Sequence, residues 1–385
     1  MTMLQRTQQL KSFFSYDRRT IITDRPLEIR PFHFLPRIKD PYTSFFQQTM
    51  PSSGFCPATD HHVEENKHFS YTIFVPKGTH QTDRAILLLH GLNERNWDKY
   101  LTWAEHLSLS TGRAVILFPI AFHMNRTPSL WYNPRLISPW VELRKKKIAN
   151  LCNSTFLNVA LSSRLSESPL RFYISGRESI YNLWQLFSEI RNGEHPLFLP
   201  GSSVHIFAYS IGALLAQVFT LANPEGLASG SRLFMFCGGS VFNRMNGSAK
   251  DIMDQEAYEQ IKKYYQSDFI HGDNQRVFAA YNEDFITRAF KAMIEPHEQN
   301  TFRKEQFQKA RERIRVVTLK HDTVMPTVGV REAFGHPLAE EIVEEWDFPF
   351  PYSHQNPFPM NPTIIPEVVY PSFERVFCHA ASFLG

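Results

Sequence analysis

Four cysteines in 385 residues, Cys56, Cys152, Cys237 and Cys378, leave no CxxC pair and no zinc-type spacing. That argues against a dithiol redox site or a structural zinc. Cys237 ends an apolar strand pattern and Cys378 lies in a C-terminal helical pattern, so both are read as small buried hydrophobes. A dominant charge is missing too. Lys and Arg number 41 against 38 Asp and Glu, a formal +3, too little for a nucleic-acid footprint; the run Arg144 to Lys147 reads as a solvated face. No GxGxxG follows a strand and no Walker sequence occurs, so no nucleotide cofactor is expected. His61, His62, Glu64, Glu65 and His68 lack HExxH spacing and read as a solvated face, so no metal is expected. No stretch reaches the length of a membrane span, and the first residues lack the apolar core of a signal peptide. The expectation is a soluble, reduced, cytoplasmic protein with no cofactor.

What is present is apolar material for a core. Hydrophobic residues make up 43% of the chain, and Phe alone accounts for 33 residues, enough for a core and for pocket walls. Residues 1–65 carry scattered prolines and weak periodicity and read as an N-terminal extension packed on a body formed by 66–385. Phe69 to Val75 alternates like a strand. Short continuous apolar runs at 84–89, 114–118, 204–208, 232–237 and 313–319 suit strands buried on both faces of a parallel sheet, with a last strand at 341–347. Helical spacing recurs at 96–109, 178–191, 212–219, 326–334 and 372–383. The alternation predicts an α/β, doubly wound, mostly parallel sheet. It is interrupted at about 120–177 and 241–312, two insertions that leave the carboxyl edge of the sheet, where ligands bind in open α/β sheets. Such insertions make a cap.

Ser210 stands between a strand-like run, Val204 to Ala208, and a helix-like run, Gly212 to Phe219. A strand that turns at once into a helix strains its apex residue and lifts that side chain clear of the sheet. Ala208 and Gly212, two residues to either side, are small, as the close approach of the two backbones requires. A serine hydroxyl needs a base, and the base needs an acid to fix its tautomer. Asp322, a few residues past the strand at 313–319, is the candidate acid. His354, in Phe-Pro-Phe-Pro-Tyr-Ser-His354 after the last strand, is the candidate base; its rivals His336 and His379 precede that strand or lie inside the closing helix. The oxyanion donors are expected to be the N–H groups of Ile211 and of Leu92, which follows His90-Gly91. His123, Asn125 and Arg126 after one strand, Gly238, Gly239 and Ser240 after another, and Tyr209 beside the nucleophile are candidate substrate contacts, Arg126 for a carboxylate.

The set His90-Gly91, Ala-Tyr-Ser210-Ile-Gly, His321-Asp322-Thr-Val-Met-Pro and the late His354 resembles the α/β-hydrolase superfamily over residues from about 69 to 385. The Phe-Pro-Tyr-Ser-His segment is similar to a bacterial branch of it with no assigned function. The resemblance implies the hydrolase type of sheet and a serine hydrolase acting on the ester or related acyl bond of a small molecule. A peptidase, an acyltransferase or a non-catalytic binding protein on the same fold would present the same motifs.

Overall fold

The computed structural model describes residues 2–17, 20–43, 60–271, 284–294, 300–360 and 366–385. Its centre is a nine-stranded sheet of β1 (Ile21–Ile22), β2 (Leu27–Phe34), β3 (Phe69–Pro76), β4 (Thr82–Leu89), β5 (Ala114–Leu117), β6 (Phe198–Tyr209), β7 (Leu233–Phe236), β8 (Ile314–Leu319) and β9 (Val343–Trp346). The order across the sheet is β1-β2-β3-β5-β4-β6-β7-β8-β9. From β5 to β9 the neighbours are parallel, whereas β1, β2 and β3 join antiparallel at one edge. Two strands from the first 65 residues thus belong to the sheet itself.

Side chains alternate across a strand, and the core divides accordingly. Leu87, Leu89, Ile206, Ala208 and Met235 face one apolar layer, which takes in the helices Leu170–Asn192 and Ile211–Ala222. Ile86, Leu88, Phe207, Phe234 and Phe236 face the other, which takes in Asp98–Thr111 and Pro366–Leu384. With helices on both faces, the central strands read as unbroken apolar runs. The result is a mixed α/β fold with a largely parallel sheet flanked by helices.

Several elements differ from their sequence readings. The helix expected from residue 178 begins at Leu170 and carries buried Arg171, Tyr173, Ile174 and Arg177 on its early turns, so charged core residues mask its apolar stripe. The segment around Pro134 and Pro139 forms the helix Pro134–Lys147, capped by the Asn133 side chain on the Arg135 N–H. Pro134 sits at its first position, where no N–H is needed. The last strand is shorter than expected, because Leu338–Ile342 is helical. Cys378 is exposed rather than buried. Its neighbours Val376, Phe377 and Ala380 take the core side of the helix, and Cys378 falls on the opposite side. Cys56 lies outside the described residues. His62, Glu64, Glu65 and His68 are exposed, and Glu64 pairs with Lys67. Among the described residues no group of His, Cys, Asp or Glu is placed to hold a metal ion, and no helix is long and apolar enough to cross a membrane.

Candidate active site

Because β4 to β9 run in parallel, their carboxyl ends share one rim, and the candidate residues hang from it. Ser210 follows β6 directly and caps the helix Ile211–Ala222 with φ 56° and ψ −122°. A non-glycine residue there costs on the order of 1–3 kcal/mol and persists only where its surroundings enforce it. They do. A Cβ on Gly212 would sit 2.8 Å from the His90 carbonyl oxygen, and one on Gly238 would sit 2.6 Å from Ala213 Cβ and 2.9 Å from the Ser210 carbonyl oxygen. The Gly212 N–H donates to the His90 carbonyl at 3.1 Å, locking the turn against the end of β4. Ala208, fully buried, is tolerated in this packing.

Ser210 Oγ lies 2.7 Å from His354 Nε2, and His354 Nδ1 lies 2.7 Å from Asp322 Oδ2. All three residues are at most 5% exposed. The carboxylate facing Nδ1 keeps the ring proton there, which leaves Nε2 as an acceptor for the serine hydroxyl. The other carboxylate oxygen of Asp322 accepts the N–H groups of Val324 and Met325, each at 2.9 Å, so backbone geometry fixes the carboxylate. The imidazole is braced from beneath. Tyr209 stacks on it at 5.6 Å between ring centroids, and the Tyr209 hydroxyl donates to the His354 carbonyl. Lys99 donates to the Gln355 carbonyl at 3.0 Å, lies over the Tyr209 ring and pairs with Glu94. Below them Trp103 packs on Tyr209, Phe358 and Phe377, so the loop bearing His354 rests on the aromatic core.

The Gly91 N–H is taken by the Tyr100 hydroxyl at 2.9 Å. Among the described residues the N–H groups of Leu92 and Ile211 have no protein acceptor. Both residues border the cavities beside Ser210. A polar cleft of about 300 Å³ exposes Ser210, Tyr209, Leu92 and His354. An apolar chamber of about 50 Å³ is also lined by Ser210, Leu92 and Ile211, and a second chamber of about 50 Å³ shares Leu92, Phe172 and Ile211 with it. Cys237, just past β7, is fully buried; burial, and next the Asp322 charge, push its thiol well up, which leaves it little thiolate character.

Not every expected contact lies at these cavities. Arg126 is fully buried and donates to Glu178 at 3.0 Å, to Asn66 Oδ1 at 2.9 Å and to the Pro119 carbonyl at 3.0 Å, with Phe69 beneath its plane. It ties an insertion to the body and has no free face for a substrate carboxylate; burial pushes it down to about 10. Asn125 donates to the Ser70 carbonyl at 2.8 Å, and Gly239, at φ 97°, packs on Met235 and accepts from Gln217 through its carbonyl. Gly238 and Ser240 are packing residues as well. His123 does border a cavity, the second chamber, with Nδ1 2.9 Å from the Ala121 carbonyl; burial pushes it down to about 4. Tyr209 borders the polar cleft, but its hydroxyl is committed to the His354 loop. The sequence reading missed Glu94, Lys99 and Phe172, since nothing local marks them as neighbours of the serine.

The structure is similar to solved esterases. It matches esterase Est22, solved with p-nitrophenol, at TM-score 0.47 and 11% identity over 99% of this chain and 86% of that one. It matches EstE1, a thermophilic carboxylesterase from a metagenomic library, at TM-score 0.43 and 10% identity over 99% and 95%. Acetyl xylan esterase 1 from Thermoanaerobacterium sp. matches at TM-score 0.41 and 13% identity over 98% and 92%. No curated protein sequence matches the chain. The model of a family of unknown function, DUF6051, matches residues 42–385, and the chain belongs to that family.

Proposed function

We propose that the protein is a serine hydrolase of the α/β-hydrolase type that cleaves an ester, or a related acyl bond, of a small molecule. The unbroken hydrogen-bonded line from Ser210 through His354 to Asp322, with 2.7 Å at each step, carries this reading. In it Ser210 Oγ attacks the substrate carbonyl carbon while His354 Nε2 takes the hydroxyl proton. Asp322 stabilises the imidazolium and stays ionised. The tetrahedral oxyanion is held by the Leu92 and Ile211 N–H groups, the second at a helix N-terminus where negative charge is favoured. The C–O bond then breaks, and His354 returns the proton to the leaving oxygen. Water, deprotonated by the same imidazole, attacks the acyl-enzyme and releases the acid.

A fluorophosphonate probe reports an activated serine directly. Labelling of the wild type is expected, with loss in both Ser210→Ala and His354→Ala, and kcat on a chromogenic acetate ester should fall about 10⁴- to 10⁶-fold. Full labelling of the Ser210→Ala protein would remove the assignment.

A further inference from the structure

The cavities around Ser210 are unlike one another, and their difference has a direction. The polar cleft contains Ser210 and His354 together with Asn93, Glu94, Arg95, Lys99, Asp251 and Asn356. The apolar chamber shares Ser210, Leu92 and Ile252 with the cleft but is lined by Ile211 and not by His354, and is closed by Phe172, Phe242, Met253, Ile261 and Met325. Under the reading given above, on which this inference rests, the proton of His354 must reach the leaving oxygen. The alcohol half of an ester therefore lies on the His354 side. The acyl half lies away from His354, in the chamber that Ile211 borders.

We propose that the substrate joins an apolar acyl chain to a neutral, hydroxyl-rich alcohol, with the chain in the chamber and the alcohol in the cleft. Neutrality follows from the cleft's balance of Glu94 and Asp251 against Arg95 and Lys99. No single sign is in excess to hold a charged head, whereas hydroxyl groups suit a wall of amides and charged side chains. The acyl chain is limited by Phe172. Leu92, Phe172 and Ile211 wall both the outer and the inner chamber, and of the three only Phe172 lies away from the proposed oxyanion donors. Its ring packs against Phe242 and Phe290 at 5.6 and 6.1 Å and divides one apolar space into two.

The test uses the full chain, fluorophosphonate labelling and two ester series. In the first, glycerol esters run from acetyl to lauroyl. In the second, each acyl group is carried instead on n-propanol, which lacks the extra hydroxyls. For the wild type, kcat/KM is expected to rise about fourfold per methylene while the chain enters apolar space, then to fall once the outer chamber is full. Glycerol esters are expected to exceed propyl esters about tenfold. Phe172→Ala should move the optimum to longer chains. Adding Gly176→Phe should move it back, because a Cβ on Gly176 meets only Phe290, at 3.8 Å, and the new ring enters the inner chamber. Labelling with a flat acyl series, a preference for propyl esters, or an optimum unmoved by Phe172→Ala overturns the substrate assignment and leaves the serine chemistry standing. No labelling and no hydrolysis overturns both.

Discussion

Replacing Asp322 in two ways separates its chemical part from its structural one. One carboxylate oxygen faces His354 Nδ1 at 2.7 Å, while the other holds the Val324 and Met325 N–H groups at 2.9 Å each. In Asp322→Asn the amide oxygen can keep both backbone donors, and its NH₂ group then faces Nδ1. The ring must present a lone pair there, so its proton moves to Nε2, where it blocks acceptance from the Ser210 hydroxyl. A wrong tautomer of this kind lowers kcat by about 10⁴, with little change in melting temperature. Asp322→Ala loses the same rate and also leaves two buried N–H groups unpaired, at about 1–3 kcal/mol each. With an unfolding entropy of roughly 2.1 cal/mol/K per residue over 385 residues, that loss corresponds to a fall of about 2–7 °C. Ester turnover and thermal melts of the two purified variants are the assay. An Asn variant within tenfold of wild-type kcat refutes the tautomer argument. Equal melting of the Ala variant and the wild type refutes the turn argument.

Acid should weaken the fold through histidines kept neutral. His90 accepts the Ile120 N–H, His195 the Leu197 N–H and His205 the Arg232 N–H. Burial pushes His90 well down and takes His195 and His205 to about 4. Unfolded, such groups titrate near 6.5, so below that value the unfolded chain binds more protons. Their stabilisation is complete above about pH 6.5 and is lost as the pH falls toward about 4; a urea midpoint that stays level or rises over that window would contradict this. Gly238→Ala should cost about 1–3 kcal/mol through its clash with Ala213 and Ser210 and lower turnover. Gly230→Ala, with open space around its Cβ, should stay within about 0.5 kcal/mol of wild type in the same denaturation experiment.

The parallel strands were legible because burial on both faces writes them as short apolar runs. Their order was not: β4 lies between β5 and β6, a pairing of distant segments that no local pattern encodes. Ser210, Asp322 and His354 could be picked out because each follows a strand end, and the structure brings their side chains into contact. Arg126 misled because its partner Glu178 is 52 residues away, on a helix whose early turns hide their periodicity behind buried arginines. Lys99 and Glu94 sit on a helix and the loop before it with ordinary surface composition; only the folded chain shows them tying down the His354 loop. Phe172 was invisible for the same reason as the start of its helix.

The aromatic bracing of His354 has a consequence for how the protein fails. Tyr209 is both the last residue of a central strand and the plate under the imidazole, and Trp103 joins it to rings on the closing helix. The same rings that fill the core therefore also hold the imidazole of His354 in place at the rim. Loss of ester turnover on heating is then expected to coincide with loss of tertiary structure, and turnover that fails at a lower temperature than the near-UV signal would contradict it.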